Sequence, residues 1–135
     1  MTTRDDIESF IIRMEVDYEE LDEGMWLLKP PEEGAAVVVS YSPPVVLLRL
    51  KVMDIPQDLE DSRAATLYRR LLELNATDIL HGSYGIEENE IVLSDALELE
   101  NLDFSELRGS YESMTLAASG HVQSLSSLMP VPQEG

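Results

Sequence analysis

Two histidines, His81 and His121, are the only imidazoles in the sequence, and His81 stands close to Ser83, Tyr84 and Asp95. Those residue types could form a relay in which imidazole takes a hydroxyl proton while a carboxylate orients the ring. The Gly-x-Ser-x-Gly turn that exposes such a serine is missing, so the grouping carries no catalytic assignment. Gly82-Ser83-Tyr84-Gly85 lacks the lysine and the spacing of a phosphate loop. Its glycines read as places where a strand twists or another backbone comes close. Asp95, Glu98, Glu100 and Asp103 are dense enough to attract a hard cation but lack calcium-loop spacing, and they read as a solvated charge run. With no cysteine, disulfides, thiol nucleophiles and thiolate metal sites are excluded. No catalytic residue, cofactor site or metal site is assigned, and the chain reads as a non-enzyme. Trp26, Tyr68, Tyr84 and Tyr111 read as filling for a core or a dimer seam, with an aromatic recognition surface as the alternative.

Charge narrows the choice of partner. The 135 residues carry 27 acids against 9 basic residues, a formal charge of -18. Between Leu71 and Leu107 there are ten Asp or Glu and no Lys or Arg. Such a surface repels phosphate backbones and anionic lipid, which argues against nucleic-acid and membrane partners. Acids stand where a secretory signal would carry its apolar core, and no apolar run approaches the roughly 20 residues of a membrane span. The expectation is a cytoplasmic protein with a single domain over residues 1–129 and a disordered tail over 130–135. The Pro-Pro-Glu-Glu-Gly stretch at 30–34 reads as a loop within that domain.

Hydrophobic spacing sets out the elements. A helix is expected over 3–15, opened by a capping box of Thr3 with Asp6, with Ile7, Phe10, Ile11 and Met14 on one face. Strands follow at 25–29, 35–41 and 45–53, the last two joined by a loop holding Pro43 and Pro44. A second helix is expected after Pro56, with Asp58 as N-cap, reaching about Leu74. Its apolar stripe is Ala64, Leu67, Tyr68, Leu71 and Leu72. Strands at 79–86 and 90–99 then flank a short turn in which Asn89 takes the left-handed conformation. Asp95 interrupts the apolar face of the second and reads as a bend or strand end. A third helix opens at Asp103 with Glu106 at the capping-box position, secure through Ala118. The fold class is α+β in the order α-β-β-β-α-β-β-α, a largely antiparallel twisted sheet with the first and third helices on one face.

This order, with the chain length and acidic charge, resembles the type III secretion chaperones, and within that superfamily the YbjN-like branch. The resemblance is most specific over 71–107, at Leu71-Leu72-Glu73-Leu74-Asn75, His81-Gly82-Ser83-Tyr84-Gly85-Ile86, Ile91-Val92-Leu93-Ser94 and Glu98 to Asp103. It implies a protein-binding, chaperone-like adaptor that holds a segment of a partner without ATP. The alternative it carries is a regulatory or scaffold protein of the YbjN type that binds a folded partner. It also implies a homodimer. Leu67, Tyr68, Leu71 and Leu72 of the second helix would contribute, helped by Tyr84; the competing reading puts the helix residues in the core of one chain.

One strand suggests where a partner docks. Along 45–53, Val46, Leu48, Leu50 and Val52 read as the core face. Val45, Leu47, Arg49, Lys51 and Met53 occupy the other, aliphatics mixed with two cations in a very acidic chain. They read either as a docking strip for a client or second subunit, or as a half-covered strand packed on its own chain.

Overall fold

The structure, a computed structural model, describes residues 1–30 and 34–129, so the expected tail and the middle of the 30–34 loop lie outside the described residues. Helix α1 (Arg4–Arg13) begins at Thr3, whose hydroxyl accepts from the Asp6 N–H while the Asp6 carboxylate accepts from the Thr3 N–H. The Thr3 N–H, with the Thr3 side chain adding to it, holds the Asp6 carboxyl below its usual range. Strands β1 (Asp17–Asp22), β2 (Met25–Lys29), β3 (Val37–Ser42) and β4 (Val45–Asp54) form a meander. Helix α2 (Asp61–Thr77) leads to β5 (Ser83–Glu87) and β6 (Glu90–Glu98), which form a hairpin, and α3 (Phe104–Ser126) follows.

The sheet is antiparallel throughout, in the order β1-β2-β3-β4-β6-β5. It has one strand more than expected. All six residues of β1 are exposed, so the strand lacks the apolar alternation by which half-buried strands are recognised. Helix α2 starts two residues later than Asp58 would set it. The Leu59 N–H bonds the Pro56 carbonyl in a turn, and Glu60 occupies the N-cap with no side-chain bond. Strand β5 starts at Ser83, four residues later than expected. Gly82 just before it has φ +86°, and a side chain there would meet the Ser94 carbonyl oxygen at 2.5 Å.

One register row shows which face the helices cover. Trp26, Val39, Leu48 and Asp95 lie side by side across β2, β3, β4 and β6. At one end Trp26 Nε1 donates to Glu8 of α1 at 3.2 Å, and at the other the Ser110 hydroxyl of α3 donates to Asp95 at 2.7 Å. Helices α1 and α3 therefore share a face. Asp95 marks no strand end: it takes its place on the covered face because α3 supplies a partner. Below the helices runs one core that includes Ile7, Ile11, Trp26, Leu48, Leu93, Leu107 and Met114. Helix α2 adds Leu67, Leu71 and Leu74 to it from beside β5. There the Asn75 amide bonds both backbone groups of Tyr84 on the outer edge of β5.

Candidate functional site

Strand alternation leaves a second face that none of these helix contacts reaches. Met25 and Leu27 of β2, Val38 and Ser40 of β3, Val45, Leu47, Arg49 and Lys51 of β4, and Val92 of β6 all point to it. Leu47 is 40% exposed and Met25 37%, whereas Leu48, one residue on, is 0% exposed. A shallow depression of about 570 Å³ crosses this face from Met25 and Leu27 past Val38 and Leu47 to Val92.

Its cations are held in place. Arg49 pairs with Glu87, and Lys51 reaches Asp54 at 2.8 Å and Glu90 at 3.3 Å. Those two carboxylates hold the Lys51 proton above the ordinary lysine range. The pairs are half-exposed and screened by solvent, so they contribute little to stability. Their effect is to keep two long side chains lying along the face.

Four of the five expected strip residues, Val45, Leu47, Arg49 and Lys51, come together here. Met53 does not. A bulge between Lys51 and Met53 adds a residue to β4, so Met53 lies opposite Ile91 and packs against the core. The expected dimer residues also divide. Leu67, Leu71 and Tyr84 are 0%, 4% and 6% exposed within one chain, because α2 turns the two leucines onto the core and β5 turns Tyr84 onto the same core. Tyr68 and Leu72 face outward, 43% and 68% exposed. Met25, Leu27 and Val38 were not legible as surface residues, since strands 25–29 and 35–41 carry apolar side chains on both faces.

Among the described residues no hydrogen bond joins His81 to Ser83, Tyr84 or Asp95. Asp95 is occupied by Ser110, and Asp103 caps α3 in a capping box with Glu106. The other histidine enters a network that its distance in sequence concealed. His121 Nδ1 lies 2.7 Å from the Tyr84 hydroxyl, and Nε2 lies 3.2 Å from Asp78. Burial, with the Asp78 charge adding to it, pushes the Tyr84 phenol up to about 12. The network ties α3, β5 and the end of α2 together, and Tyr84 is too enclosed to meet a substrate. A second groove, about 540 Å³, lies between α3 and β4, with Leu116 exposed on its rim.

Among family profiles, CesT_Tir_1, a family of type III secretion chaperones, matches residues 1–130. The chain belongs to that family. No curated protein matches the chain. Among solved structures, a chain of the heterodimeric ExoU–SpcU complex from the type III secretion system of Pseudomonas aeruginosa is similar, with TM-score 0.65 and 16% identity. That match covers 91% of this chain and 97% of that one. YbjN of E. coli, described as a putative transcription regulator, gives TM-score 0.64 at 12% identity and 96% coverage of both chains. A chain of the ExsC–ExsE complex gives TM-score 0.59 at 14% identity, covering 98% of this chain and 100% of that one. At these identities the likeness establishes the fold. Among the described residues no helix is long and apolar enough to cross a membrane.

Proposed function

We propose that the chain is a non-catalytic, chaperone-like adaptor that holds a segment of a partner protein on the open face of its sheet, with Val45, Leu47, Arg49 and Lys51 in the dock. The observation that carries this reading is Leu47, 40% exposed on a largely apolar sheet face against which none of the described helices packs. Its likeness to chains from the ExoU–SpcU and ExsC–ExsE complexes supports a protein partner. Covering Val45 and Leu47 gives about 1.5–3 kcal/mol each at most, before association and ordering costs. A segment must therefore use the whole depression to bind well. The adaptor acts in the cytoplasm in this reading, needing neither cofactor nor metal.

The test compares neighbours on one strand. Val45→Asp with Leu47→Asp should leave a folded protein that captures no partner. Leu48→Asp should unfold it, because the charge enters the core unpaired. If the Val45/Leu47 variant melts as badly as Leu48→Asp, the open face is part of the folding core and the dock does not exist.

The likeness to YbjN favours a second reading, a regulatory or scaffold module on a folded partner. Limited proteolysis of a captured complex separates the two. An adaptor protects a segment that is cut when free, whereas a scaffold protects a surface that already resists cutting.

We also propose a homodimer through the outer face of α2, where Ala65, Tyr68, Leu72 and Ala76 are exposed at helical spacing. About a two-fold axis Tyr68 of one copy would meet Leu72 of the other. Light scattering should give twice the 15.1 kDa chain mass. Tyr68→Glu with Leu72→Glu should return it to the chain mass, and a parent protein already at the chain mass removes the dimer.

A further inference from the structure

The cations on the open face do not invite an acidic partner. Strand alternation and register put Lys29, Arg49 and Lys51 on the same face as Leu47. Each is already matched within the chain: Lys29 by Glu19 at 3.6 Å, Arg49 by Glu87, and Lys51 by Asp54 and Glu90. An anion arriving there would have to displace a carboxylate that is tethered beside its cation.

Acids are left over at the other end of the face. One register row runs Asp22, Met25, Ser40, Leu47 and Ala96 across five strands. Glu98 stands beside that row, two residues beyond Ala96 and opposite Val45. Both Asp22 and Glu98 are exposed, and among the described residues neither carboxylate is paired with a cation. Between them lie the two exposed large apolar side chains of the face, Met25 and Leu47, with the small Ser40 as a dip in the middle. All three line the depression. Neighbouring strands are about 4.8 Å apart, so Asp22 on β1 and Glu98 on β6, four spacings away, are separated by about 20 Å. An extended segment covers that distance in about six residues. With acids at its ends it would set like charges together. With lysine or arginine there it would complete two unpaired carboxylates as their apolar surroundings dry out. The chain's -18 charge attracts the same sign from a distance.

We propose that the partner segment held on the open face is a short apolar stretch with a basic side chain at each end, one for Asp22 and one for Glu98. This rests on the adaptor reading and adds the chemistry of its partner. Asp22 and Glu98 become specificity-determining residues, while the neutralised Arg49 and Lys51 give no preference for acids.

Three capped heptapeptides serve as probes, with leucine at the third and fifth positions, serine between, and Lys, Gln or Glu at both ends. Methyl resonances of Val45 and Leu47 report where they sit. At low ionic strength the Lys peptide should bind about tenfold more tightly than the Gln peptide, the factor that two exposed ion pairs supply, and the Glu peptide should bind worst. Asp22→Asn with Glu98→Gln should melt with the parent, bind the Gln peptide equally well and lose the preference for Lys. Asp5→Asn with Glu20→Gln removes the same charge from the helix-covered side and should keep that preference. If the parent binds the Lys and Gln peptides alike, or the Asp22/Glu98 variant still prefers Lys tenfold, the dock stands and the basic ends are wrong. If no peptide moves Val45 or Leu47, or Val45→Asp with Leu47→Asp binds every peptide like the parent, the adaptor reading falls as well.

Discussion

Asn75 should be worth more to this fold than a half-buried amide usually is. Its Oδ1 accepts from the Tyr84 N–H at 2.7 Å and its Nδ2 donates to the Tyr84 carbonyl at 3.2 Å, so one side chain closes both outward backbone groups at the middle of edge strand β5. Asn75→Leu keeps the branched shape and removes both bonds. Each bond contributes about 0.5–1.5 kcal/mol, so the loss should be about 1–3 kcal/mol at most, since water reaching the edge recovers part of it. For a chain of this length the melting temperature should fall by about 3–4 °C per kcal/mol, so by no more than about 12 °C in all. Thermal circular dichroism gives the total, and amide hydrogen exchange localises it, because the Tyr84 amide should lose protection while the Leu93 amide keeps it. Asn75→Asp should lie between, retaining the acceptor for the Tyr84 N–H but turning a carboxylate toward the Tyr84 carbonyl. If Asn75→Leu melts with the parent and the Tyr84 amide stays protected, the edge is closed by something other than Asn75.

Gly82→Ala should destabilise by about 1–3 kcal/mol or more, since it combines φ +86° with a contact on the Ser94 carbonyl; a melt matching the parent would show that the turn can move. The Tyr84 phenol is raised from its ordinary 10 to about 12. Its contribution is fully present below pH 10 and is lost as pH rises toward 12. Tyr84→Phe should flatten that part of the alkaline melting profile, and an unchanged slope between pH 10 and 12 would contradict the burial argument.

Most of the fold was legible because its signals are local. The Thr3/Asp6 and Asp103/Glu106 boxes, the Pro43-Pro44 hairpin and the β5–β6 turn each need only a few adjacent residues, and each forms. In that turn Asn89 is left-handed as expected, and Glu88 joins it at φ 49°. What stayed hidden depends on residues far apart. Strand β1 has no buried side to mark it, and its place in the sheet comes from pairing with β2. Alternation along β4 put Met53 beside Lys51, but the bulge that turns it inward depends on register with β6. The stripe on α2 misplaced Tyr68 and Leu72 and passed over Leu74, because β5 decides which side of that helix is covered. The open sheet face was half legible: Arg49 and Lys51 beside Val45 and Leu47 marked one strand of it, while Met25, Leu27 and Val38 join it only through sheet order.

The central claim is that a partner segment lies on the open sheet face. Methyl NMR during titration with the partner's protected segment tests it most directly. The account predicts that the largest shifts fall on Val45, Leu47, Leu27, Val38 and Val92, and that Val45→Asp with Leu47→Asp abolishes them in a protein that still melts cooperatively. Shifts gathered instead around Leu116 and Val122 in the groove beside α3, with the open-face methyls unmoved, would contradict it.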